Sequence, residues 1–147
     1  NMPDAISEPM GCYCLGYLWN RGDEVGDATD PNTGRKIEFK ATSRFEGDLS
    51  SFGPKCVFDD LVFLRFKLDE NLLYIYDLNI NSEEFGKYPA NKTQTIQEQK
   101  NQGRRPHVSL QTLFVDANNL EPDIIFDIRR CKAYNRVSEY YQRLIGK

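Results

Sequence analysis

The stretch DDLVFLRFKLDENLLYIYDLNI constrains the fold of this chain more than any other. Residues 61–67 and 72–78 are nearly continuous apolar runs, with Asp69, Glu70 and Asn71 between them as a turn. A strand with one wet face alternates apolar and polar residues, whereas a strand without alternation is covered on both sides. This hairpin therefore belongs at the centre of a sheet that other elements must cover. A second hairpin is legible in VGDATDPNTGRKIEFKAT. There Pro31, Asn32 and Gly34 supply turn geometry, and Ile37 and Phe39 alternate with Lys36, Glu38 and Lys40.

Elsewhere the pattern is helical or mixed. Residues 92–102 are polar, rich in helix formers and stopped by Gly103. Residues 109–114 cap and start either a short helix or a strand. After Pro122, residues 124–128 predict a strand, and 138–145 a closing helix. The opening MPDAISEPMGCYCLGYLWNRGDE mixes Pro and Gly with aromatics and reads poorly as one regular element. The fold class expected is α/β: a single domain over 1–147, with a central mixed β-sheet flanked by helices.

Charge is unevenly placed. Residues 1–86 carry 8 Lys and Arg against 16 Asp and Glu, and residues 87–147 carry 11 against 6. An acidic half that gathers metal beside a basic half that faces phosphate fits this split. No apolar run approaches the roughly 20 residues of a membrane span, and no basic-then-apolar leader opens the sequence, so a cytoplasmic protein is expected. Cys12, Cys14, Cys56 and Cys131 lack the paired knuckle spacing of a zinc site and read as small buried residues kept reduced. His107 is the only histidine, and no serine or cysteine sits in a nucleophile-elbow motif. The chemistry best supplied is that of carboxylates with a metal.

The segment that carries it is Asp27 followed by Glu38-Phe39-Lys40. In a strand, Glu38 and Lys40 project from one face while Phe39 points into the apolar layer. Asp27, on or just after the preceding strand, is close enough to meet Glu38 across the hairpin. Two carboxylates, an ammonium and the Phe39 carbonyl then share a pocket, a hard-oxygen set suited to one or two Mg²⁺ ions. Asp30 could stand in for Asp27 as the metal ligand. Whether Glu8 or Glu24 adds a further acidic ligand stays open.

Residue by residue this arrangement resembles the PD-(D/E)XK nuclease superfamily, with Asp27 at its first position, Gly26 in place of the frequent Pro, and Glu38 and Lys40 at the others. SRFEGDLSSFGPKCVFDDLVFLRF and QEQKNQGRRPHVSL make the remainder similar to small type II restriction endonucleases, and within them to the group that cuts GC-N-GC. The resemblance implies a Mg²⁺-dependent, sequence-specific cutter of double-stranded DNA that acts as a homodimer. It departs from the usual layout after the motif strand. Residues 43–56, with Gly47, Gly53 and Pro54, read as loop where the family often has a helix.

For DNA contact the candidates are Lys100, Arg104, Arg105 and His107, in a segment with amides suited to base edges. Arg44, Arg129 and Arg130 are candidates for phosphates, and Ser50 and Ser51 could approach the backbone. Three other readings stay open: a Holliday-junction resolvase or repair nuclease with the same chemistry, a non-catalytic DNA-binding or subunit-interaction module, and a small zinc protein using the cysteines.

Overall fold

The computed structural model describes residues 2–135 and 137–145. In chain order the elements are α1 (Asp4–Leu15), β1 (Leu18–Trp19), β2 (Ala28–Thr29), β3 (Lys36–Thr42), β4 (Ser50–Ser51), β5 (Asp60–Lys67) and β6 (Leu72–Asp77). They continue with α2 (Ser82–Gly86), α3 (Ile96–Asn101), β7 (His107–Val108), a π-helical turn (Gln111–Asp116), β8 (Ile124–Asp127), β9 (Lys132–Tyr134) and α4 (Val137–Ile145). One seven-stranded sheet runs β1-β2-β3-β5-β6-β8-β9. Only β3 and β5 pair in parallel; the other neighbours are antiparallel, so the sheet is mixed as expected. No helix among the described residues is long and apolar enough to cross a membrane.

The two apolar runs are β5 and β6, joined by a single 3₁₀ turn (Leu68–Glu70) and by Asn71 in the left-handed conformation. They lie inside the sheet, and alternate residues of β5 serve two separate cores. Val62, Leu64 and Phe66 join Ile37, Phe39, Leu73, Ile75 and Phe126 under α1. Leu61 and Phe63 join Phe52, Phe85, Ile96, Leu110 and Phe114 under the second layer. That layer holds α2, α3, the π-helical turn and a two-stranded β4-β7 ribbon.

The N-terminal segment departs from its expected irregularity. Residues 4–15 form a helix, although Pro9 interrupts its hydrogen bonds and Gly11 weakens it. Packing overrides those local signals, since Ser7, Gly11 and Cys12 are buried against the sheet. Gly16, at φ 74°, ends the helix with its N–H on the Cys12 carbonyl. The helix expected over 92–102 starts only at Ile96. The Asn91 side chain accepts the N–H groups of Thr93 and Gln94 and folds that stretch into a turn. Thr95 and Glu98 then form a reciprocal capping box. Residues 109–114, open between helix and strand, enter the π-helical turn. Of the cysteines expected to be buried, Cys12 is, Cys14 and Cys56 are half-buried, and Cys131 is exposed at φ 54° between β8 and β9.

Crossing from β3 to its parallel neighbour β5 takes residues 43–59, which are mostly loop as expected. Two anchors hold this connection. Asp48, buried, accepts from the Ser109 hydroxyl (2.7 Å) and from the N–H groups of Leu110 (2.9 Å) and Gln111 (3.1 Å). On the other side Arg65 of β5 lies 4.0 Å from the Phe45 ring and donates to the Phe45 carbonyl.

Candidate active site

The β2-β3 pairing stops short, and the site lies where it stops. Ala28 pairs with Ile37, and the Asp27 N–H reaches the Ile37 carbonyl at 2.8 Å. The next inward N–H of β3, that of Phe39, is taken not by backbone but by the Asp27 carboxylate, Oδ2, at 2.8 Å. Asp27 thus meets the motif strand through its main chain. Beyond this bond the edge of β3 opens into a polar cleft of about 270 Å³. Asp27, Glu38, Phe39 and Lys40 all line it, together with Asp4 and Glu8 of α1 and Leu49, Ser50 and Ser51 of the crossover.

Alternation along β3 places the charged pair. Ile37 and Phe39 enter the core under α1, so Glu38 and Lys40 leave on the opposite face. The Lys40 ammonium lies 3.5 Å from Glu38 Oε2 and 4.7 Å from the centre of the Phe52 ring, which holds it from the second layer. Burial pushes the Asp27 carboxyl above its usual range, against the pull of the Phe39 N–H and Lys40. Burial also raises Glu38, helped by the charge of Asp27 and opposed by Lys40.

Two further residues belong to this setting. Glu8 reaches the cleft from α1 and accepts the Trp19 indole N–H at 3.0 Å. Burial, with the neighbouring charges of Asp27, Asp4 and Glu38, pushes its carboxyl up to about 7 despite that hydrogen bond. Cys56, raised to about 12 by burial and then by the charge of Glu38, puts its thiol beside the Glu38 carboxylate. From the sequence Glu8 is open as a further acidic ligand, and nothing there points to Cys56. Both come from outside the hairpin and are placed only by tertiary structure.

Asp30, the alternative to Asp27, is outside the cleft. Its carbonyl accepts from Gly34 N–H and its carboxylate from Asn32 N–H, which closes the β2-β3 turn. Glu24 likewise accepts the Arg21 N–H in an exposed loop.

The basic candidates divide into three places. Ser51 pairs with His107 and Phe52 N–H bonds the Pro106 carbonyl, so β7 brings exposed His107 and Arg105 to the rim beside Ser50 and Ser51. Arg105 passes over Gly53, where a Cβ would meet its Nη1 at 3.0 Å. Arg104 is exposed, bonded to Gln94 Oε1 at 3.0 Å. Lys100 is engaged inward instead, its ammonium on the Cys56 carbonyl at 2.8 Å. Arg44 is exposed just past β3. Arg129 and Arg130 lie elsewhere, beside Asp69, Glu70 and Tyr140, with β5 and β6 between their turn and β3; Arg130 pairs with Asp127 at 3.1 Å.

Comparison with known proteins gives the class. The chain is a restriction endonuclease: it belongs to the Bsp6I restriction endonuclease family, whose model matches residues 1–117. It is 42% identical over 132 residues to the type II restriction enzyme Bsp6I of Bacillus sp. (strain RFL6), covering 90% of this chain and 75% of that enzyme. No solved structure matches. The protein is therefore a type II restriction enzyme, cleaving double-stranded DNA at a specific sequence.

Proposed function

We propose that this endonuclease cuts through PD-(D/E)XK chemistry, with Asp27, Glu38 and Lys40 as its catalytic residues. The observation that carries the reading is their convergence in one polar cleft, with Asp27 bonded to the strand that bears the other two. Four carboxylates line that cleft and Lys40 is its only Lys or Arg, so it is short of positive charge. Such a cleft suits Mg²⁺, which takes one or two carboxylates and keeps waters and substrate phosphate for the rest. Asp27, Glu38 and the Phe39 carbonyl would hold it, and when bound it supplies Lewis-acid charge against the scissile phosphate.

The chain's own groups do the rest. Lys40, fixed between Glu38 and the Phe52 ring, orients the attacking water and stabilises the negative charge that grows on the phosphate. Ser50 and Ser51 form the opposite wall, where hydroxyls and main chain meet the DNA backbone. Arg105, His107, Arg104 and Arg44 extend the contact beyond the rim.

The likeness of residues 43–66 and 97–110 to the group that cuts GC-N-GC supports that interrupted palindrome as the recognition site. A homodimer goes with it, because one chain carries one cutting centre and a palindrome presents two half-sites. Digestion of linear unmethylated plasmid by wild type and Lys40→Ala, with Mg²⁺ or EDTA, tests the chemistry. Discrete bands from wild type in Mg²⁺ alone are expected, and sequencing the ends gives the site. Cleavage indifferent to Lys40→Ala would remove the assignment. Sedimentation only at 17 kDa with and without DNA would remove the dimer.

A further inference from the structure

We propose that Trp19 is a positioning residue for the cutting centre, its indole N–H holding the Glu8 carboxylate in the cleft with Asp27 and Glu38. The inference rests on the reading of that cleft given above.

Glu8 has reason to leave. Its side chain is long and only half-buried, and the cleft already holds Asp4, Asp27 and Glu38, whose charges repel it. A turn of its rotamers would take it into water. The bond from Trp19 Nε1 to Glu8 Oε1, 3.0 Å, opposes that escape. Its anchorage is specific. Trp19 lies in the edge strand β1 and pairs with Ala28, while the N–H of Asn20 bonds the Asp27 carbonyl at 2.9 Å. The indole therefore ties α1 to the segment that carries Asp27. On the same residue the Arg21 guanidinium lies 5.4 Å from the ring centre and steadies it. Trp19 remains 37% exposed, so filling a core does not account for it. The arrangement brings Glu8 to Asp27 and Glu38 from a different element and fixes how far it reaches.

Trp19→Phe keeps a ring for Arg21 and removes the N–H. Calorimetric titration of the protein–DNA complex with Ca²⁺ reads the consequence without relying on turnover. Trp19→Phe is expected to weaken Ca²⁺ binding by about tenfold, the scale of one hydrogen bond to a charged acceptor. The double variant with Glu8→Gln should bind no worse than Glu8→Gln alone, because the indole acts through Glu8. Wild-type binding by Trp19→Phe, or losses that add in the double variant, would overturn the proposal. Asp27→Asn separates the two levels. Loss of Ca²⁺ binding and cleavage there leaves Trp19→Phe to decide on the clamp, whereas an unaffected Asp27→Asn removes the site reading and the clamp together. Should Trp19→Phe fail to fold, wild type still answers, since Trp19 is the sole tryptophan. Its emission should change on adding Ca²⁺ and stay constant in Glu8→Gln; an unchanged wild-type spectrum overturns the proposal.

Discussion

Gly11 of α1 and the Phe39 ring of β3 lie so close that a Cβ on Gly11 would sit 3.0 Å from two ring carbons, Cε1 and Cζ. The ring is buried and cannot swing aside, and the Leu64 side chain closes the same space at 3.4 Å. This contact sets the height of α1 over the motif strand, and Glu8 stands one helical turn earlier on the same helix. Gly11→Ala gains helix propensity of about 1 kcal/mol but must push the helix from its seat, for a net loss of up to about 2 kcal/mol. Gly11→Val should lose more and slow cleavage further. Urea denaturation with matched cleavage rates checks this; wild-type stability in Gly11→Val would refute it.

The crossover should prove equally sensitive at Asp48. Its carboxylate satisfies three donors of residues 109–111 while almost wholly buried. Asp48→Ala leaves all three without that acceptor and is expected to cost about 2–4 kcal/mol. Cleavage should fall with stability, because the Ser50 and Ser51 wall hangs from the same anchor. Thermal unfolding within a degree of wild type would show that the anchor is not needed.

Asp60 makes a prediction about pH. It is fully buried, its Oδ1 accepting from Leu61 N–H (2.9 Å) and Ile80 N–H (3.1 Å). Burial, and then Asp77 beside it, raise its carboxyl from 3.8 to about 8. The folded protein therefore holds this proton more tightly than the unfolded chain. The stability that follows is complete below pH 3.8 and is lost as pH rises through about 8. Asp60→Asn removes the dependence. Against wild type it should gain at least about 1 kcal/mol at pH 9, a melting shift of roughly 2–8 °C, and gain little or nothing at pH 3, below the unfolded value. Equal gains at both values would contradict the argument.

The division of basic residues can be read from salt dependence. Arg105→Ala is expected to weaken DNA binding at all sequences and lower the slope of log affinity against log salt by about 1. Arg104→Ala should resemble it. The pair Arg129→Ala and Arg130→Ala, placed three strands away from β3, should change affinity by less than about twofold and leave that slope alone. A slope that drops only for the second pair would move the DNA to the other end of the sheet.

What the sequence discloses follows from the range of the interactions. The β5-β6 hairpin and the β2-β3 turn are written in runs and alternation over a few residues, so they are legible. The spacing of Asp27, Glu38 and Lys40 is legible for the same reason, since one hairpin carries all three. Helix α1 is not, because Pro9 and Gly11 argue against it locally and only contact with Phe39 explains Gly11. Residues 92–95 look helical by composition, yet a single Asn91 side chain turns them. Glu8 reaches the cleft from α1 and Cys56 reaches the Glu38 carboxylate from the crossover, and no local pattern places either. Arg129 and Arg130 look like the other basic candidates in sequence; strand order alone sets them apart.

The pairing of β4 with β7 has a consequence for synthesis. Ser50 and Ser51 form a wall of the cleft only when His107 and Val108 are there to pair with them. A ribosome makes the carboxylates and lysine of the proposed centre first and the partner of that wall more than fifty residues later. A growing chain thus holds its chemical groups before it holds a finished groove for DNA. For an enzyme able to damage the genome of the cell that makes it, an unfinished or truncated product is the less dangerous one.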